Sequence, residues 1–209
     1  MTAPAPLRGR QAEARRNDQR ILDAALDVFI EDPQAPMSAV ADRAGVGQAS
    51  LYRRYPTKDA LLGRVCEQGM SRIRDAARAA LAGPQDPGRA LSDFLHWYLE
   101  SGTPRLAGLL GSFTPEPHLF RLAREANEAQ QALVDRAAAA GTLRTDITGA
   151  DLTLLITQLS ALERPDPARA AALRRRYLTL VLQALSLRDA PALPSPPPDA
   201  AELERPWQL

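Results

Sequence analysis

Apolar residues recur every three or four positions along most of this chain, which is the spacing of amphipathic helices. The clearest run lies near 18–31, where one helical face collects Ile21, Leu22, Ala25, Leu26 and Phe29. Good helix formers (Ala, Leu, Arg, Glu and Gln) dominate the sequence, whereas β-branched and aromatic residues are sparse. The pattern therefore predicts an all-α fold of about nine helices.

Proline, glycine and capping residues predict where these helices begin and end. Pro33 and Pro36 end the first helix, and Gly45-Val46-Gly47 separates two short helices. Thr148 and Asp151 have the spacing of a capping box. Single N-caps are predicted at Asn17 or Asp18 for the first helix, and at Thr57, Asp86 and Asp166. The remaining helices are predicted near 37–44, 48–54, from Thr57 onward, and near 87–101, 104–111, 117–140, 149–163 and 167–187.

The two ends of the chain differ in composition from the helical region. Residues 1–16 are rich in Ala, Pro and Arg and predict a disordered arm, and the first 20 residues carry a net charge of +3. The tail 189–209 is proline-rich and is also predicted to be disordered. Between the two ends, we expect an N-terminal domain over 17–62 and a C-terminal domain over 63–188.

Charge and cysteine content exclude several classes of protein. The 26 basic and 25 acidic residues give a net charge of +1, which excludes a polyanion-coating protein but allows a small basic face. The single cysteine, Cys66, excludes a disulfide framework and a cysteine-based zinc cluster. There is no signal-peptide pattern and no apolar run long enough to span a membrane. We therefore expect a soluble cytoplasmic protein without a metal or a cofactor.

Enzyme motifs are also missing from the pattern. A helix precedes Gly45-Val46-Gly47, and Ser50 replaces the last glycine of a dinucleotide fingerprint, so no phosphate cradle can form there. The only lysine, Lys58, is not part of a phosphate-binding loop, and Tyr55 precedes it by three residues, not the four that a short-chain dehydrogenase pair needs. Nothing local supports a catalytic pair of Cys66 with a histidine. We predict that the protein is not an enzyme.

Residues 37–62 meet the requirements of a helix-turn-helix. A small residue, Ala41, lies where the two helices pack most closely, and Gly45 can adopt the left-handed turn four positions later. Val40, Ala44 and Leu51, together with Val46, are placed to hold both helices against a core. This arrangement would insert the N-terminal half of the second helix into the major groove of DNA.

Here the sequence resembles the TetR family of bacterial transcription regulators. The resemblance rests on Val40-Ala41, on Ala44-Gly45-Val46 and on the stretch Leu51–Leu62 (LYRRYPTKDALL), with a matching first helix over 21–29. The segment 140–147 also resembles a loop of many members. This chain departs from the family pattern at Tyr55, where Phe is usual, at Gly47, where Ser or Thr is usual, and in having Pro33 and Pro36 instead of a Gly-aromatic pair.

The resemblance implies which residues would contact DNA. Side chains at the start of the second short helix would reach base edges or adjacent phosphates, Tyr52 would donate to a phosphate, and the N-terminus of the fourth helix would hold another. The arginines of the N-terminal arm would add flanking contacts. The predicted DNA-binding residues are Arg20, Gln48, Ala49, Ser50, Tyr52, Arg53, Thr57 and Lys58. Alternatively, Tyr52 and Tyr55 are core aromatics and Lys58 is a solvated surface charge.

The resemblance implies that the C-terminal domain dimerises and holds a small-molecule effector. The last helix is apolar almost all round from 177 to 187, so a partner would cover one face, although a wholly intramolecular helix is an alternative. The predicted dimerisation residues are Leu155, Leu159, Tyr177, Leu180, Val181 and Ala184. The predicted effector-binding residues are Cys66, Met70, Ile73, Phe94, Trp97, Tyr98, Phe113 and His118, with Trp97 favoured, although aromatic and Met residues at helical spacing are more often plain core.

The sequence thus predicts a homodimeric repressor that a small molecule releases from a palindromic double-stranded DNA operator. One alternative keeps the helix-turn-helix but lacks the ligand switch, which gives an activator or a constitutive repressor. A second alternative is a helical protein-interaction module in which 37–62 is only a packing motif.

Overall fold

The computed structural model describes residues 5–109, 111–186, 191–199 and 202, with side chains from residue 12 onward. Over this part of the chain all regular secondary structure is helical, which confirms the predicted fold class. Eight α-helices and one 3₁₀ helix follow one another: α1 Ala5–Glu31, α2 Met37–Ala44, α3 Gln48–Arg54, α4 Lys58–Ala82, α5 Pro87–Glu100, the 3₁₀ helix Thr103–Leu109, α6 Pro117–Ala139, α7 Gly149–Ser160 and α8 Pro167–Leu185.

The predicted caps of α4, α5, α7 and α8 are confirmed, and they explain why these helix starts were predictable. The predicted cap of the first helix at Asn17 or Asp18 is wrong, because α1 begins earlier and both residues lie inside it. The hydroxyl of Thr57 accepts a hydrogen bond from the backbone N–H of Ala60 at 3.1 Å. Asp86 and Asp166 accept in the same way at the starts of α5 and α8. Thr148 and Asp151 exchange both bonds of a capping box, at 2.8 and 3.3 Å. Such bonds satisfy orphan N–H groups locally, so each depends on only a few neighbouring residues.

Both chain ends differ from the prediction of disorder. The segment 5–16 is the first part of α1, because its Ala, Arg, Glu and Gln favour a helix and a proline is tolerated in the first helical turn. At the other end, the segment 191–199 has no regular structure but is held in place. Arg144 donates to the carbonyl of Pro191 at 2.7 Å, and the backbone N–H of Leu193 donates to Asp146 at 3.3 Å. The rest of the predicted arm and tail lies outside the described residues.

The apolar side chains form two cores, and α4 and α6 contribute residues to both. The first core joins α1, α2 and α3 to the beginning of α4 and to residues of the 3₁₀ helix and α6. The second core joins α5, α6, α7 and α8 to the end of α4. The predicted domain boundary between residues 62 and 63 lies inside α4, which packs into both cores. None of the described helices is both long and apolar enough to cross a membrane.

The 3₁₀ helix packs unusually close to α4. A Cβ atom added at Gly69 would lie 2.2 Å from Cδ1 of Leu106, which is well inside van der Waals contact. At Gly63, six residues earlier on α4, the nearest atom to such a Cβ is Leu119 Cδ1 at 4.0 Å. The close approach of the 3₁₀ helix therefore depends on the missing side chain at Gly69.

Candidate nucleic-acid interface and ligand cavity

A glycine turn sets the angle between α2 and α3. Gly45 has φ +67° and ψ 39°, a left-handed conformation that glycine adopts without steric cost. Its N–H donates to the carbonyl of Asp42 at 3.2 Å, and the N–H of Val46 donates to Ala41 at 3.0 Å. These two bonds close α2 as a Schellman motif, so the chain turns sharply into α3 as the sequence predicts.

The inner side of α3 is fixed against the first core and against α1. Leu51 is completely buried. The hydroxyl of Tyr55 donates to the carboxylate of Asp18 at 2.6 Å, and Arg54 donates to the same oxygen at 3.1 Å. Burial first, and then the bond to Asp18, raise the pKa of Tyr55 well above its usual value. Tyr55 is thus a core aromatic that ties α3 to α1.

The outer side of α3 is free to meet a partner. Gln48, Ala49 and Arg53 are exposed, and Ser50 is half-buried. The ring of Tyr52 is 47% exposed, so the structure does not place it in the core. An amide, a guanidinium and a phenol on one face of a short helix provide donors for base edges and for phosphates.

Thr57 and Lys58 lie beside this face at the start of α4. The Thr57 hydroxyl accepts the capping bond, which leaves its own proton available. The Lys58 ammonium donates to the carbonyl of Pro33 and lies 4.4 Å from the ring centroid of Phe29. These contacts hold the ammonium at the positive end of α4, where two further protons can reach an anion. Arg20 is exposed on α1 and donates to Asn17 at 3.0 Å.

A cavity of about 190 Å³ lies in the C-terminal part of the molecule. Its wall comes from α4, α5, α6, α7 and the 3₁₀ helix, with Glu202 at the edge. The lining is mostly apolar, with a few amide and hydroxyl groups. The lining residues are Met70, Ile73, Tyr98, Thr103, Pro104, Leu106, Ala107, Pro115, Leu119, Phe120, Ala123, Ala126, Asn127, Gln130, Thr153, Leu154, Thr157 and Glu202.

Met70, Ile73 and Tyr98 were predicted to bind an effector and do line this cavity. Phe94 and Trp97, of which Trp97 was the favoured residue, do not line it. Both residues pack in the second core, where the ring centroid of Phe94 lies 6.0 Å from that of Trp97 and 5.9 Å from that of Tyr98. The clustering of aromatic residues in sequence indicated an aromatic cluster, but only one of its members reaches the cavity.

Three other predicted effector residues also lie elsewhere. Cys66 is completely buried in the first core, and burial raises the pKa of its thiol to about 12. Phe113 packs against the first core. His118 is partly exposed and lies 3.3 Å from the carboxylate of Glu116. Helical spacing indicates which face of a helix is apolar, but tertiary packing decides whether that face meets a core or a cavity.

Sequence reasoning missed the polar part of the cavity wall. Gln130 is only 5% exposed, although it belongs to a residue type that is rarely buried. It lies on the same buried face of α6 as Ala126, Leu133 and Ala137. The amide of Gln130 within an otherwise apolar helical face was the one feature of the sequence that could have indicated a polar group in the cavity wall. Asn127, Thr153 and Thr157 gave no comparable signal.

The outer surface of α7 and α8 keeps several apolar side chains exposed. Tyr177 and Leu180 are 43% and 48% exposed, and Ala184 lies on the same stripe one turn later. Val181 is half-buried beside them. On the opposite side of α8, Leu178 is completely buried in the second core. Two further predicted dimerisation residues, Leu155 and Leu159, are half-buried and pack against that core.

The 3₁₀ helix connects the cavity with α1. Pro104, Leu106 and Ala107 line the cavity. On the other side of the same helix, Arg105 pairs with Asp27 of α1 at 2.7 Å. A displacement of the 3₁₀ helix would therefore act on the helix that also holds α3 through Asp18.

Two family models cover most of the chain. Residues 21–65 match the bacterial regulatory proteins of the tetR family, and residues 86–187 match the C-terminal domain of SbtR-like transcriptional regulators. The chain belongs to the TetR family. This confirms the predicted family and makes the protein a DNA-binding transcriptional regulator, not an enzyme.

Other TetR-type proteins resemble this one in sequence and in fold. The TetR transcriptional regulator SCO0520 of Streptomyces coelicolor is 30% identical, with a TM-score of 0.59 over 83% of this chain and 99% of that one. A TetR regulatory protein of Mycobacterium vanbaalenii is 31% identical, with a TM-score of 0.57 over 87% and 100% of the two chains. The repressor LfrR of Mycolicibacterium smegmatis is 33% identical over 92 residues, which span 41% of this chain and 45% of LfrR.

Proposed function

We propose that this TetR-family protein is a homodimeric repressor that leaves a palindromic operator when a small molecule occupies the cavity. The observation that carries the proposal is the position of the 3₁₀ helix. It forms one wall of the cavity and is paired with α1 through Arg105 and Asp27. A ligand that moves this wall changes the position of α1, and with it the position of α3.

The exposed face of α3 supports sequence-specific binding. Gln48 can read adenine through its amide, and Arg53 can read guanine through its guanidinium. Tyr52, Thr57 and Lys58 would contact phosphates and fix the register of α3 in the groove. Arg20 would add a further contact from α1. Because Leu51 and Tyr55 anchor the helix from behind, these side chains are presented on a rigid element.

The apolar stripe on α8 supports a second copy of this chain as the dimer partner. Tyr177, Leu180 and Ala184 recur at helical spacing on the outer surface, where they would otherwise remain in water. A two-fold axis beside this stripe would bring the same residues of both copies together. It would also present two α3 helices to the two half-sites of a palindrome.

The test begins with the selection of binding sites from a random duplex library by the full-length protein. Fluorescence anisotropy on a selected duplex then measures affinity across a salt series. We expect an inverted repeat, two chains per duplex and a steep fall in affinity with salt. Failure to enrich any sequence, or binding that salt leaves unchanged, contradicts the proposal.

Matched arginine variants sharpen the test. Arg53→Ala should relax discrimination at particular base pairs by about 1–3 kcal/mol each. Arg89→Ala removes the same charge from the exposed surface of α5, away from α3, and should leave discrimination unchanged. A uniform loss of affinity on all duplexes in Arg53→Ala would make this residue a backbone contact instead. Screening small molecules for release of the duplex then tests the ligand switch.

A further inference from the structure

Within the described part of the chain, the deep wall of the cavity offers no charge partner to a buried ion. Among the described residues that line it, Glu202 alone carries an ionic side chain, and this residue is exposed at the edge. Its carboxylate already accepts the backbone N–H of Asp199 at 2.8 Å. The deeper wall consists of side chains such as Met70, Leu106 and Phe120. An ion transferred from water into these surroundings would lose its hydration without compensation.

Tyr98 brings an unpartnered hydroxyl to this wall. The residue is 4% exposed and lines the cavity. Its ring contacts Phe94, but within the described part of the chain no protein group hydrogen-bonds to its hydroxyl. Burial raises the pKa of Tyr98 above its usual value, so the group stays a neutral donor at physiological pH. Buried tyrosine hydroxyls normally have a partner.

Gln130 provides a second free donor. Its Oε1 accepts a long bond from the hydroxyl of Thr153 at 3.4 Å, whereas its Nε2 has no protein partner among the described residues. In the same part of the chain, no fully enclosed side-chain nitrogen or oxygen lacks a hydrogen bond. The Tyr98 hydroxyl and the Gln130 Nε2 must therefore border a space that a small molecule can enter. Both residues line the cavity.

We infer that the cavity binds an uncharged, mainly apolar molecule with an oxygen acceptor, such as a ketone or an ester, that receives hydrogen bonds from Tyr98 and Gln130. Two neutral donors in an apolar chamber match one carbonyl oxygen, which can accept two bonds. The inference rests on the proposed function in one respect, namely that the cavity is the effector site.

Direct binding to the full-length protein without DNA tests the chemical class of the ligand. Four probes share the naphthalene ring: the ketone 2-acetylnaphthalene, its hydrocarbon analogue 2-isopropenylnaphthalene, the 2-naphthoate anion and the 2-naphthylmethylammonium cation. By calorimetry at neutral pH, the ketone should bind about three- to tenfold more tightly than the hydrocarbon. Both ions should bind at least about tenfold more weakly than the ketone.

Variants identify the groups that recognise the ketone. Tyr98→Phe and Gln130→Leu should each reduce the preference for the ketone over the hydrocarbon, while the affinity for the hydrocarbon changes little. Trp97→Phe is the control, because Trp97 lies in the same aromatic cluster but does not line the cavity. A misfolded variant would lose affinity for the ketone and the hydrocarbon together, whereas Tyr98→Phe and Gln130→Leu should lose only the preference for the ketone.

Three results would overturn the inference: either ion binds as tightly as the ketone, the hydrocarbon matches the ketone in the parent protein, or no probe binds. These results are distinct from failure of the proposed function. If the ketone binds as expected but the protein selects no duplex, the ligand class holds and the repressor proposal fails. If a duplex is selected but the ions bind best, the repressor proposal survives and the ligand class is wrong.

Discussion

Replacing Gly69 with alanine tests whether the close packing of α4 on the 3₁₀ helix requires a residue without a side chain at this position. The new Cβ would lie 2.2 Å from Leu106 Cδ1 and 3.3 Å from its Cγ. Leu106 is buried, so its side chain can move only by pushing the 3₁₀ helix away or by turning into the adjacent cavity. Either movement changes the wall that the proposed effector contacts.

The expected change in stability is the sum of two opposing effects. Alanine favours the interior of a helix over glycine by about 0.5–1 kcal/mol. Forcing a methyl group into a filled contact costs about 1–3 kcal/mol. Because Leu106 has a cavity of about 190 Å³ beside it, the cost should fall in the lower half of that range. We expect Gly69→Ala to be about 1 kcal/mol less stable than the parent.

Gly63→Ala is the matched control on the same helix. Its Cβ would meet Leu119 at 4.0 Å, an ordinary contact, so only the helical gain remains. This variant should be about 0.5–1 kcal/mol more stable than the parent. The helical gain cancels between the two variants, so the difference between them, about 1–2 kcal/mol, isolates the crowding at Leu106.

Urea unfolding followed by far-UV circular dichroism measures these differences, at one fixed protein concentration because association would shift the midpoint. In a Leu106→Val background the cost of Gly69→Ala should shrink, which would reveal coupling between the two sites. If Gly69→Ala stabilises the protein as much as Gly63→Ala does, the reasoning is refuted. If the Leu106→Val background leaves the cost unchanged, the strain arises elsewhere.

Four further outcomes are expected. Leu180→Glu should convert the proposed dimer to monomers in sedimentation velocity, and a sedimentation profile equal to that of the parent would place the interface elsewhere. Lys58→Ala should weaken binding to all duplexes and reduce the log–log salt slope by about one, whereas an unchanged slope would remove Lys58 from the phosphate contacts. Cys66 should resist alkylation by iodoacetamide at neutral pH until urea unfolds the protein, because its thiol is buried and its pKa is raised to about 12; rapid labelling of the native protein would contradict this burial. The Arg144 guanidinium lowers the pKa of Asp146 from 3.8 to about 2, so the contribution of Asp146 to stability is present above pH 3.8 and is lost as the pH falls through 2. Asp146→Asn should therefore be less stable than the parent at neutral pH and equal to it below pH 2. If the variant is still less stable than the parent in acid, the loss of stability comes from packing and not from the charge of Asp146.

The helix-turn-helix was predictable because its determinants are local. Gly45 ends α2, Pro56 and Thr57 separate α3 from α4, and each acts on backbone groups within a few residues. The outward position of Tyr52 and the buried position of Leu51 follow from the period of a single helix. These features need no knowledge of the rest of the fold.

The cavity was only partly predictable because packing between distant helices creates it. Tyr98 and Trp97 are neighbours in sequence, yet only Tyr98 reaches the cavity. The contribution of Leu106 depends on its approach to Gly69, which is far away along the chain. The prediction of a disordered arm over 1–16 was wrong for residues 5–16 for a different reason. Composition indicated disorder, but the same residues can extend a helix once packing of its later part has nucleated it.

The position of α4 in both cores limits where the chain can be truncated or fused to another protein. It contributes Leu61, Val65 and Met70 to the first core and Ile73 and Ala77 to the second. A cut after residue 62 would strip the N-terminal unit of part of its own interior. A chimera that exchanges the C-terminal domain must therefore join the two chains beyond residue 62 and keep α4 continuous. A one-residue insertion at the joint would rotate the downstream face by about 100°, so only fusions in correct helical register can keep both interiors filled.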